Sequence, residues 1–402
     1  MENKGDFMKY IVFRCLLVVL LFTIMLSTLS CSRENSRESQ LDSNEIKNTE
    51  DSKEGIGRDK VYWKFPTGGK ILSSPIIVDN VVYFGCSDGN LYAVNKDTGN
   101  EIWRYTLGAD ICCQPAILDH KLFICGEEIY VAVDAKTGKE LWRQDQSLDV
   151  TYTRRLDQWD YHDSSPIIDK EVVYYGSRSG NIFGFDVNSG MLVWKFAASE
   201  KSAVRTTPII DNGVLYYGDW DGFYRAVDIA EKKVLWENSY KYVFQSGAAI
   251  TNGVLFIGGR DTNFYAIDCK TGKSIWSYTE PNRSWITGDP LIDGDIVYFP
   301  TSDAKTVYAM RINDGSIVAK YPIYKNAFSK AIIDKEKLYV TSGDVYAYPG
   351  TGKLEVYSLK ENGKRVDEFS IDSGRIFSSP VIKDGIAYFG STDTYFYAVK
   401  IG

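Results

Sequence analysis

Short apolar runs separated by polar turns return along this chain at a spacing of about 40 residues. Each unit opens on proline or a small residue followed by two apolar ones: Pro75-Ile76-Ile77, Pro115-Ala116-Ile117, Pro166-Ile167-Ile168, Pro208-Ile209-Ile210, Ala248-Ala249-Ile250, Pro290-Leu291-Ile292, Ala331-Ile332-Ile333 and Pro380-Val381-Ile382. Eight residues after each opening stands an aromatic: Tyr83, Phe123, Tyr174, Tyr216, Phe256, Tyr298, Tyr339 and Tyr388. Turns such as Asp79-Asn80 and Asp211-Asn212-Gly213 lie between them and supply the positive φ that hairpins need.

A third run in each unit carries a small residue, expected where two sheets approach closely: Ala93, Ala132, Gly184, Ala226, Ala266, Ala309, Ser358 and Ala398. A second tight turn follows, as in Asp97-Thr98-Gly99, Lys136-Thr137-Gly138 and Lys270-Thr271-Gly272. The Asp or Thr bonds its own backbone there, and the glycine takes the left-handed position. Ten residues after the small residue, five units place Trp103, Trp142, Trp194, Trp236 and Trp276, each able to fill the wedge between neighbouring sheets. The sixth unit has Ala319 there, the shorter seventh has Asp367, and the eighth ends first. Four strands at this fixed period predict an all-β fold, a β-propeller of four-stranded antiparallel blades.

Counting predicts eight blades and a closed ring. The last unit stops at Gly402 without a fourth strand, while Val61-Tyr62-Trp63-Lys64-Phe65 is an orphan fourth strand at the other end. Trp63 precedes Pro75 by 12 residues, as Trp103 precedes Pro115. Pairing 61–65 with the final unit leaves no sheet edge open.

The run Ala266-Ile267-Asp268-Cys269-Lys270-Thr271-Gly272-Lys273-Ser274-Ile275-Trp276, with a similar one from Ala132 to Trp142, resembles the blade motif of the quinoprotein-type (PQQ-like) propellers. The resemblance covers residues 61–402. Within that superfamily, chain length, blade number and a lipid-anchored start are most similar to the propeller lipoproteins of outer-membrane β-barrel assembly. The resemblance implies a non-enzymatic scaffold in that machinery, facing the periplasm, with a protein partner. A quinone-dependent dehydrogenase, or a degenerate cofactor- or sugar-binding module, is the alternative, and a surface adhesin is a third.

Lys9 and Arg14 precede an apolar stretch, Cys15 to Leu26, that is too short to span a membrane. It ends Thr28-Leu29-Ser30-Cys31, which resembles a lipoprotein cleavage box and makes Cys31 the expected lipidation site within a 1–31 signal segment. The box departs from the usual pattern, since Thr28 stands where leucine is common. Several acyl chains on one cysteine anchor a protein durably. Residues 32–60 are rich in Ser, Glu, Asn, Arg, Lys and Asp, bury too little to fold, and read as a tether averaging roughly 30 Å end to end.

Formal charge is −7 and no basic stripe appears, which argues against nucleic-acid binding. Beyond Cys15 and Cys31, five cysteines remain, an odd number without a disulfide framework. Cys112-Cys113 matches the vicinal pair of the quinoprotein dehydrogenases in residue type. The other reading makes them small packing residues where other units carry Ser73-Ser74 or Thr206-Thr207. The two histidines, His120 and His162, make no metal cluster or triad, and Asp134, Asp186, Asp228 and Asp268 fall at turns. No catalytic, metal or cofactor residues are expected, and a monomeric ring follows.

Two connections exceed the period. Trp142 to Pro166 takes 24 residues where 12–14 are usual, and Ala331 to Ser358 takes 27 where 17–19 are usual. One follows a fourth strand and the other a second strand, so both lie on one face of a blade meander. The first holds Tyr152, Arg154, Arg155, Trp159, Tyr161 and His162, types enriched at interface hot spots. Arg178, Trp220, Arg260 and Trp285 come from equivalent loops and complete the candidate partner-binding set. A compact self-packed loop is the alternative reading of the insertion.

Overall fold

A computed structural model describes residues 58–146, 163–198, 202–361 and 363–402. The lipidation site Cys31, most of the tether, and Tyr152, Arg154, Arg155, Trp159, Tyr161 and His162 lie outside the described residues. The rest forms eight four-stranded antiparallel sheets arranged as an eight-bladed propeller. The first strand, β1 (Val61–Pro66), follows a single helical turn (Arg58–Lys60) and pairs with the last strand of the chain (Tyr395–Lys400). Blade one then comprises β2 (Ile76–Val78), β3 (Val81–Gly85), β4 (Asn90–Asn95) and β5 (Glu101–Thr106), hydrogen-bonded in that order. Ring closure through β1 is therefore as the orphan strand predicted.

The repeat works through two contacts made again and again between neighbouring blades. On six of the eight outer strands a tryptophan donates its indole N–H to a carbonyl of the next blade: Trp63 to Lys96, Trp103 to Ala135, Trp142 to Val187, Trp194 to Ile229, Trp236 to Cys269 and Trp276 to Ile312, at 2.8–3.2 Å. The turn glycine of the next blade lies flat on that ring. A Cβ on Gly99 would sit 2.7 Å from Trp63, and its φ of +71° already requires glycine. The second contact is at the end of the second strand in several blades: Gly85 admits Ile111 of the following blade, whose Cγ2 would be 2.3 Å from an added Cβ, as Gly258 admits Ile286 and Gly390 admits Ile71.

The small residue on the third strand makes room for a pair of aromatics flanking it in the same sheet. Ala93 pairs with both Tyr83 and Trp103, whose rings lie 5.8 Å apart across it. The acids at the third turn are caps: Asp134, Asp186 and Asp268 each accept both the backbone N–H and the hydroxyl of a Thr or Ser three residues on.

Blade seven corrects one assignment. Ser358 does not occupy the small position: Tyr339 pairs with Val356, which in turn pairs with Asp367. Residues 344–351 are inserted after the second strand (Lys337–Gly343) and shift the count by two; Ser358 instead caps the turn by accepting from Glu361 N–H. Asp367 does stand at the tryptophan position, and it joins the start of the propeller to its last residue: Lys60 Nζ bonds one oxygen and Gly402 N–H the other.

Candidate interaction face and channel mouth

The three residues before each opening converge on the propeller axis and form three stacked rings. Nearest the core is a hydroxyl ring. Ser73, Ser164, Thr206, Ser246 and Ser378 each bond the backbone of the second strand 12 residues later. Cys113 does the same work with sulfur, accepting from Cys125 N–H at 3.3 Å. The cysteine pair is therefore shifted by one from the alignment with Ser73-Ser74, because Cys113 is the counterpart of Ser73. Both Cys112 and Cys113 are free thiols.

One position further along runs a belt in which the backbone N–H of one blade reaches the side chain of the next. Gln114 bonds Ser165, Ser165 bonds Thr207, Gly247 bonds Asp289, Lys330 bonds Ser379 and Ser379 bonds Ser74, at 2.6–3.0 Å. The belt breaks wherever the next residue offers no short acceptor, at Gln114, Gly247 and Lys330. A link forms only where the next residue offers a short side-chain oxygen.

The third ring is the channel rim: Leu72, Cys112, Asp163, Arg205, Gln245, Thr287, Phe328 and Phe377, all lining a cavity of about 370 Å³. It divides cleanly. Blades seven, eight, one and two contribute Phe328, Phe377, Leu72 and Cys112, which pack with Val345 of the 344–351 insertion into an apolar cap. Blades three to six contribute the polar half. There, the rim residue meets a partner 15 residues on in its own blade. Asp163 takes Arg178 in a two-bond ion pair at 2.7 and 2.9 Å, Arg205 lies 4.3 Å over the Trp220 ring, and Gln245 accepts both Nε and an Nη of Arg260. Arg260 in turn lies 4.5 Å over Trp285 of the next blade. Burial works against the Arg178 cation, but the Asp163 carboxylate holds it charged. Burial pushes the Glu128 carboxyl up even though it accepts Arg178 N–H and the Tyr130 hydroxyl.

The structure thus brings Arg178, Trp220, Arg260 and Trp285 to one face, around the channel mouth, and shows three of them largely buried and paired. They stiffen the loops more than they project from them. What projects is a set that sequence reasoning did not single out. Among the described residues, the loop aromatics that are well exposed are Tyr242 at 59%, Tyr346 at 74% and Tyr348 at 93%. All three lie in connections after second or fourth strands, hence on the channel-mouth face. The insertion carrying Tyr346 and Tyr348 is held from below by Lys325–Asp344 at 2.9 Å, by Tyr346 Oη on Asp303 at 2.7 Å, and by Gly374 N–H on Gly350. The Asp303 carboxylate pushes the Tyr346 phenol up to about 12. The rim, the residue three before every opening, was not singled out in the sequence either.

Among the described residues, no group of three or more His, Cys, Asp or Glu side chains is arranged to hold a metal ion. Among the described residues, the acids lining the channel cavity are Asp163 and Asp289, the first paired with Arg178 and the second accepting Gly247 N–H.

Comparison with known proteins gives a consistent relationship. The family model described as outer membrane protein assembly factor BamB matches residues 57–225 and 221–402. The outer membrane protein assembly factor BamB of Yersinia pestis is 26% identical over 141 residues, covering 34% of this chain and 36% of that protein, so the matched stretch spans about a third of the curated relative. Among solved structures, BamB from Moraxella catarrhalis superposes with a TM-score of 0.59 at 17% identity, covering 69% of this chain and 84% of that one. The quinohemoprotein alcohol dehydrogenase of Comamonas testosteroni superposes with a TM-score of 0.66 at 13% identity, covering 86% and 78%. At such identities the structural likeness carries the fold alone.

Proposed function

The chain belongs to the outer membrane protein assembly factor BamB family, and from that membership we propose that it is a non-enzymatic scaffold that docks a protein component of outer-membrane β-barrel assembly through its channel-mouth face. The observation that carries this reading is the gathering of three exposed loop aromatics, Tyr242, Tyr346 and Tyr348, on one face of an otherwise regular ring. Tyrosines held over a rigid base offer large contact area at low entropic cost, the profile of interface anchors. Elsewhere around the same mouth, the Asp163–Arg178, Arg205–Trp220 and Gln245–Arg260 pairs fix loops before a partner arrives, which limits the ordering cost of binding.

Anchoring through Cys31, with 32–60 as tether, would keep the ring in the periplasm near a membrane-bound partner and raise its effective concentration. A quinone-dependent dehydrogenase is the weaker reading. The channel supplies two acids already engaged, and the Cys112 and Cys113 thiols are divided between the rim and the buried hydroxyl ring. This donor set does not match a calcium-held quinone.

The test is the triple change Arg154→Ala, Arg155→Ala, Trp159→Ala. The connection of 24 residues is not required by blade geometry, so the melting temperature should hold within a few degrees. Recovery of the β-barrel assembly component in pulldowns should fall about 30-fold or more, as loss of a hot spot of about 2 kcal/mol implies. A destabilised variant that still holds its partner would make the connection a packing element instead.

A further inference from the structure

The channel cavity has a use separate from docking. Its volume of about 370 Å³ falls within the range of small-molecule sites, roughly 300–1,000 Å³, and every blade contributes to its wall. An ammonium and four hydroxyl donors line it. Ser74, Ser165, Thr207 and Ser379 each use an oxygen lone pair to accept a backbone N–H in the belt, and each keeps a hydroxyl proton to give away. Lys330 lines the same cavity, and its ammonium has no hydrogen bond or ion pair among the described residues. The acceptors are largely spent: Asp289 Oδ1 on Gly247 N–H, and Asp163 on Arg178. Beside Lys330 and Ser379, the rim residues of the same two blades are Phe328 and Phe377, their rings 5.4 Å apart and nearly perpendicular.

From this arrangement we infer that the channel mouth binds a small organic anion, a carboxylate or phosphate monoester with a compact apolar body. Lys330 and the belt hydroxyls hold the charged head, and the Phe328–Phe377 pair covers the body. Charge-assisted hydrogen bonds to the ammonium supply the strength, and the hydroxyl belt supplies orientation. Asp289 opposes the ligand by like charge and sets a limit on affinity.

The experiment is calorimetric titration of the purified full chain with benzoate, phenyl phosphate and the neutral benzyl alcohol. Saturable binding of at least one anion, and none of the alcohol, is expected; the tighter anion identifies the head group. Lys330→Gln should weaken that binding about tenfold or more. Asp289→Asn keeps an acceptor for Gly247 N–H and removes the opposing charge, so it should tighten binding several-fold. If Lys330→Gln fails to fold, the Asp289→Asn result decides alone. Absence of saturable anion binding in both wild type and Asp289→Asn overturns the inference, as does equal binding of the alcohol or undiminished binding by folded Lys330→Gln. No docking partner takes part, so failure here leaves the scaffold reading untouched.

Discussion

The two halves of the ring share one backbone and differ in what they put at the axis. Blades seven, eight, one and two turn Phe328, Phe377, Leu72 and Cys112 inward under the 344–351 insertion, and the first strand of the propeller meets its last in this half. Blades three to six turn Asp163, Arg205, Gln245 and Thr287 inward, three of them braced by Arg or Trp from the same blade. The first half also contains the interface that lacks a tryptophan altogether, between blades seven and eight, where Asp367 stands in its place. Between blades six and seven, Tyr321 serves instead, with Gly363 closing on its ring. The difference teaches a division of labour. The apolar cap and the terminal clasp lie in the half that holds the blade-seven-to-eight interface without an indole, and the half whose internal interfaces all keep a docked tryptophan carries the charged side chains at the mouth.

The largest test removes the seal. Deleting residues 61–65 strips the outer strand, Trp63 included, from the last blade and opens a sheet edge. Aggregation is expected, or a fall in melting temperature of about 10 °C or more, since each kcal/mol moves the midpoint of a large domain by roughly 2–4 °C. Deleting 32–55 should leave the midpoint unchanged. Equal loss in both truncations, read by scanning calorimetry, would break the closure scheme.

Next come the rims. Phe377 is 3% exposed, so Phe377→Ala should cost about 3–5 kcal/mol in urea unfolding. Gln245→Ala in the polar half removes the acceptor of Arg260 without emptying a packed core and should cost only about 1–3 kcal/mol. A reversal of that order would show that the polar half, and not the apolar cap, holds the mouth together.

The terminal clasp gives a pH signature. Burial raises the Asp367 carboxyl, but hydrogen bonds from Lys60, Gly402 N–H and Glu368 N–H outweigh it and hold the group below its ordinary value. A depressed folded value means stability present above the ordinary carboxylate range and lost as pH falls through the folded one. Wild type should therefore lose more stability than Asp367→Asn between pH 6 and pH 3. At pH 6 the variant should be weaker by about 1 kcal/mol, a typical net hydrogen-bond contribution. Parallel pH profiles for the two proteins would remove Asp367 from the seal.

The smallest effect is one the halves should share. Thr207→Val in the polar half and Ser379→Ala in the apolar half each delete one belt acceptor, and each should cost about 1 kcal/mol. A large difference between them would mean the belt is not the common frame beneath both rims.

Sequence patterning reached the blades and the closure because apolar alternation, turn glycines and tryptophans are demanded by packing that every unit repeats. It slipped at Ser358, where the 344–351 insertion displaced the count and Val356 took a position that alanine fills elsewhere. It slid by one at Cys112-Cys113, since sulfur replaces oxygen in the hydroxyl ring and no residue identity marks the register. The rim escaped notice for a different reason. Side chains facing a channel need be neither apolar nor alike, so Leu72, Asp163 and Phe377 share a position with no shared chemistry. The exposure of Tyr346 and Tyr348 depends on the fold-back of their loop onto Asp303 and Lys325, contacts distant in sequence.

The central claim is that the channel-mouth face, and not its opposite, meets the partner. A photo-crosslinking amino acid placed at Tyr242 or Tyr348, and separately at Asn252 or Asp97 in turns of the opposite face, tests it in living cells. The account predicts capture of an outer-membrane β-barrel assembly protein from Tyr242 or Tyr348 and none from Asn252 or Asp97. Capture from the Asn252 and Asp97 positions with silence at the two tyrosines would contradict it.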